Sequence, residues 1–174
     1  MSTPRLMSLA TALVACSAMQ ALAAEEDAKQ PAKVNAARAY PGFTGYARKV
    51  TTKSAEAQQW FDQGIQLLYG YNHDEAIRSF EKAAEVDPSC AMSWWGSAYA
   101  RGLHINNPEM SEEQSRLAYE AAQKALAALD DESEVEQALV KAVASRYALP
   151  VPEDRAHLDQ AYADAMESAW HQFP

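Results

Sequence analysis

The residues able to do chemistry in this chain are four histidines, two cysteines and a surplus of carboxylates. None stands at a spacing that builds a familiar centre. His73, His104, His157 and His171 form no H-x3-H pair, and no Cys-x2-Cys or HExxH motif occurs. The paired ligands of a zinc site are therefore missing. Cys90 has no base evident in the sequence, and no G-x-S-x-G elbow is present, so no activated nucleophile is expected. Six scattered glycines leave no phosphate-cradling loop. Glu112-Glu113 and Asp130-Asp131-Glu132 read as helix-end charges. His73 with Asp74 reads as a turn cap. The sequence thus predicts no enzyme, no cofactor and no metal site. One cluster has recognition character, His104 with Asn106 and Asn107 in a connecting loop, and such loops often carry specific contacts.

The elements that would position these groups come after a leader. Arg5 precedes the apolar run Leu6 to Ala15, which is half the roughly 20 residues needed to span a bilayer. Ala21-Leu22-Ala23 is an A-x-A cleavage signal, followed by acidic Glu25-Glu26-Asp27. Residues 1–24 therefore read as a secretory signal peptide cut after Ala23 or Ala24. Leu13-Val14-Ala15-Cys16 resembles a bacterial lipobox, so a lipoprotein anchored through Cys16 is the alternative to a periplasmic or secreted protein. With Cys16 in the leader, only Cys90 remains, and no intramolecular disulfide can form. A lone cysteine in an oxidising compartment is expected to be buried where helices meet.

The chain carries a formal charge of −9. Residues 1–24 hold one arginine and no acid, so cleavage makes it −10. Such an acid excess argues against nucleic acid as a partner, and against anionic membrane surfaces unless Cys16 is lipidated. Composition is that of a globular protein, 48% hydrophobic and 22% charged. Abundant alanine and few β-branched residues favour helix.

Residues 25–50 read as an N-terminal linker whose aromatic end, Tyr40, Phe43 and Tyr46, caps the first helix pair. Six helices are then predicted, over about 55–71, 74–86, 89–101, 111–129, 133–147 and 154–170. Ser54, Asn72 or Asp74, and Ser111 are candidate N-caps. Pro88, Asn106-Asn107-Pro108 and Pro150 interrupt the helical pattern. Gly64 lies inside the first helix, at a cost of about 1 kcal/mol relative to alanine, so a partner helix is expected to approach closely there. The prediction is an all-α fold of antiparallel helix pairs, covering about 55–88, 89–130 and 131–174 within a domain of 51–174.

The first pair carries Trp60, Gly64, Ala76, Phe80, Ala83 and Pro88, and Trp94 repeats Trp60 after 34 residues. These residues resemble the tetratricopeptide repeat, with Gln63 where leucine is usual and Leu67 where tyrosine is usual. In the second pair Trp94, Ala98, Ala118, Ala122 and Ala125 keep the spacing across an inserted loop. The third pair is fainter. The run from Leu67 to Pro88, followed by CAMSWWG and INNP, resembles exported bacterial proteins of this class. Members of that group are longer, so one alternative is a truncated member, a fragment of a longer repeat protein.

The resemblance implies a short solenoid whose concave groove binds a protein or peptide segment. The fingerprint residues Trp60, Gly64, Ala76, Phe80, Ala83, Pro88 and Trp94 would be packing residues. The groove would use Phe61, Ile65 and Tyr69, then Met92, Trp95 and Tyr99, with Leu68, Val135 and Leu139 beside them. The other alternative is a periplasmic small-molecule or metal-binding protein using the 103–111 loop.

Overall fold

All six predicted helices form, each within two residues of its expected bounds. The computed structural model describes residues 36–43 and 45–174. The expected leader, Cys16 and most of the linker lie outside them. Among the described residues the chain is all-helical, with α1 over Ala55–Tyr69, α2 over His73–Val86 and α3 over Ala91–Ala100. Then come α4 over Glu112–Ala127, α5 over Glu134–Ser145 and α6 over Ala156–Gln172. No helix among the described residues is long and apolar enough to cross a membrane.

The caps explain the boundaries. Ser54 Oγ accepts from Ala57 N at 3.2 Å and starts α1. Gly70 ends it, and Tyr71 then takes φ 61°, in the left-handed region. That turn stops α1 two residues short of the predicted Tyr71. Asn72, not Asp74, caps α2 through Glu75 N. Ser111 and Gln114 form a reciprocal capping box on α4 at 3.1 and 2.9 Å, satisfying two donors that the first turn leaves free.

Consecutive helices pack as neighbours throughout, and α1 also meets α3, as α3 meets α5. The core is organised around the Phe80 ring. Phe80 is fully buried and lies 5.5 Å from the Phe61 ring, centroid to centroid. A Cβ on Gly64 of α1 would stand 2.6 Å from Phe80 Cε1, and one on Gly96 of α3 would come closer still to the same ring. Three helices therefore converge on one aromatic side chain through two glycines. Trp60 and Trp94 pack against this core half-buried, while Ala76 and Ala83 are buried in it. Cys90 is buried at the entry to α3, and burial pushes its thiol pKa up.

Residues 38–51 are tied along α1 by polar side chains. Gln63 accepts from Tyr40 N at 2.8 Å, and its amide donates to Arg38 O and to Ser79 Oγ. Gln66 donates to Phe43 O and Tyr46 O. Asp62 accepts from Arg48 N, and Gln58 accepts from Val50 N. Phe43 packs on the core and Val50 is buried in it, whereas Tyr46 is exposed. Thr51 then reaches Glu136 on α5, 85 residues away, through its N–H at 2.8 Å and its hydroxyl at 2.7 Å.

Candidate functional site

The six residues expected to line one groove divide in the structure. Phe61, Ile65 and Met92 are buried in the core, so they are not a surface that a partner could touch. They share one buried cluster with Phe80 and Val50, and Phe43 packs against that cluster. A stripe at helical spacing reports burial without saying what buries it. Leu68 is also buried. Trp95 and Tyr99 remain half-buried and stack on each other, 5.3 Å between ring centroids at 15°. Tyr69 is 71% exposed.

Tyr69 and Tyr99 meet at a cavity of about 220 Å³. Its wall also contains Tyr71, His73, Gly102 and His104. Tyr71, at the left-handed turn position, is 72% exposed. The groove candidates that survive and the loop candidate His104 thus share one place. A second cavity of about 360 Å³ shares Tyr71, His73, Gly102 and His104 with the first. Tyr71, Asn72, His73, Asp74, Arg101 and Asn107 line it, with Gln114 of α4.

His73 and His104 form the wall common to both cavities. Their rings stack 4.2 Å apart at an interplanar angle of 5°. Sequence reading missed this pair, because one member ends the α1–α2 turn and the other begins the inserted loop. His73 titrates below the usual imidazole value. Burial is the larger cause and the adjacent His104 the next, while Asp74 pulls the other way. Two unit charges about 4 Å apart repel by about 1 kcal/mol in water and about 4 kcal/mol at an effective dielectric near 20. The stack therefore disfavours the doubly protonated pair.

The loop is held at both ends. His104 N donates to Asn107 O at 3.1 Å, and Asn107 N donates to His104 O at 2.8 Å. This tight turn projects Ile105, 89% exposed, at its tip. Asn106 shares that exposed tip, away from the histidine wall. At the loop base, Arg146 of the α5 C-cap donates to Leu103 O at 2.7 Å. Tyr147 donates to Ala98 O at 2.8 Å, and burial pushes its hydroxyl pKa up to about 12. A Cβ on Gly102 would stand 2.5 Å from both Arg146 Nη1 and Tyr147 Oη, so a side chain there would have to displace the ends of both.

Parallel imidazoles project their in-plane lone pairs side by side, not toward one point. No group of three or more His, Cys, Asp or Glu side chains among the described residues is placed to hold a metal. No family model matches the chain, nor does any curated protein or solved structure.

Proposed function

We propose that the chain is an exported scaffold of tetratricopeptide-like helix pairs that holds a protein or peptide segment. The observation that carries this reading is the convergence of Tyr69, Tyr71 and Tyr99 on one small cavity. Tyrosine is enriched in binding surfaces because a rigid aromatic body gives large contact area with a polar tip. The other apolar residues of the same face are sunk in the core, so these tyrosines concentrate what can be offered to a partner. The succession α1, α3, α5 supports a face built from the first helix of each pair. On this reading the partner segment lies over the α1–α2 turn and against the 103–111 loop, and the chain itself does no catalysis.

The test is selection from a phage-displayed random peptide library on the immobilised full chain, with affinity measurement on the enriched peptides. Tyr69→Ala and Tyr71→Ala remove exposed side chains, so the fold should survive, as circular dichroism would check. Enriched peptides should bind each variant at least about tenfold more weakly, in line with aromatic hot spots. Failure to enrich any peptide, or binding by both variants as tight as by the parent chain, would overturn the proposal.

A further inference from the structure

We propose that the cavity beside the His73–His104 stack binds a small oxyanion and takes up a proton as it does so. The proposal goes beyond the peptide-holding reading and does not depend on it. It starts from the inventory of the cavity wall, where donors prevail. Asn72 and Gln114 each use their carbonyl oxygen for a cap, Asn72 on Glu75 N and Gln114 on Ser111 N, which leaves their amide N–H groups. Arg101 gives Nη2 to Glu81 and Nε to Ser97 Oγ, and keeps Nη1. His104 Nδ1 is buried without a hydrogen-bond partner among the described residues. A cavity with free donors and two imidazoles in its wall suits a ligand rich in acceptor oxygens.

Charge selects the anion and links it to the proton. Asp74 is the carboxylate lining this cavity. Glu81 is engaged by Arg101, and Glu113 of α4 by Arg116. Arg146 at the α5 C-cap and Asp159 of α6 line a third cavity that His104 also borders, and Asp159 pairs with Arg155 at 3.5 Å. With both imidazoles neutral the wall has no net attraction for an anion. Protonated, the two rings supply the positive charge, and an oxyanion whose oxygens span their side-by-side N–H groups near Arg101 compensates their mutual repulsion. Binding and protonation then favour each other, because each is linked to the other in equilibrium.

The experiment uses the full chain with ¹³C-labelled histidine. Inorganic phosphate and succinate are titrated separately at constant ionic strength, while the imidazole Cε1–H resonances are monitored. Saturable shifts of His73 and His104 are expected in the millimolar range or tighter, roughly tenfold weaker at about pH 7.5 than at about pH 5.5. The apparent His73 pKa should rise when the ligand is present. Phosphate binding alone would assign a tetrahedral oxyanion and succinate alone a carboxylate, and either supports the site. His104→Phe keeps an aromatic ring against His73 but removes the orphaned nitrogen, and should abolish saturation. The exposed His171 reports non-specific screening. Linear shifts for both ions, the same shift at His171, or unchanged saturation in His104→Phe would overturn the proposal. If oxyanions bind while no peptide does, the scaffold reading fails and this one stands.

Discussion

Replacing Gly64 with alanine should destabilise the protein, although alanine is the better helix former. Helix propensity favours alanine by about 1 kcal/mol at such a position. Against that, the new Cβ would lie 2.6 Å from Phe80 Cε1 and 2.7 Å from Cδ1. The ring cannot retreat, because Gly96 presses on it from α3 and Phe61 lies 5.5 Å away. Overpacking a well-filled core costs about 1–3 kcal/mol, and a pinned ring belongs at the upper end. The net loss is then about 2 kcal/mol, or about 4–8 °C in melting midpoint for a domain of this size. The decisive measurement is a double-mutant cycle by urea unfolding. Phe80→Leu alone should cost less than the roughly 3–5 kcal/mol of truncating a buried phenylalanine to alanine. In the Phe80→Leu background the clash is gone, so Gly64→Ala should become neutral or favourable. A coupling energy above about 1 kcal/mol is expected. If Gly64→Ala raises the midpoint of the parent, or the two changes add within about 0.5 kcal/mol, the three-helix junction is not held as argued.

Two further outcomes concern buried groups. Glu136→Gln replaces one carboxylate oxygen with an amide N–H that would face the donors on Thr51 and Ser133, and should cost about 1–3 kcal/mol in urea unfolding near neutrality. Burial opposes the Glu136 charge, yet those hydrogen bonds hold its pKa below the ordinary value of 4.5. As pH falls, the unfolded chain takes up this proton first. The stabilisation is therefore complete above pH 4.5 and lost as pH drops below it toward the folded value. Glu136→Gln should flatten the stability profile in that acid window. For Cys90, burial and a raised pKa predict that Ellman's reagent labels the native protein no faster than it opens. Rapid labelling without denaturant would show that the entry to α3 is not closed.

The helix pairs were legible because their signals are local. Ser54, Asn72 and Ser111 cap where sequence reading put caps, and Gly64 meets a partner side chain as its cost implied. The unread parts depend on contacts between distant segments. Gly96 looks like an unremarkable glycine within CAMSWWG, yet it touches the same ring as Gly64. Glu136 sits in a periodic helix, and nothing nearby announces that Thr51 will use both of its oxygens. Phe61, Ile65 and Met92 kept to the stripe expected of a groove, but residues 38–51, which help to bury that stripe, have no period to predict from. His73 and His104 each had a plain local reading, and only the fold makes them one wall. Gln63 was the exception that carried information. A buried glutamine on the inner face of a helix binds Tyr40, Arg38 and Ser79 from outside its own helix.

The tether of residues 38–51 also gives the molecule a mechanical grain. Tension applied from the N-terminal side would load the Arg38–Gln63 bond first, then Tyr40–Gln63, then the Gln66 contacts, then Asp62 and Gln58. Bonds arranged this way open one at a time, like a peeled strip, and each opening asks little force. The Thr51–Glu136 clasp comes last. It is the point where pulling on the strip would begin to load α5, so a gentle pull frees a leash and a stronger one strains the stack of helices.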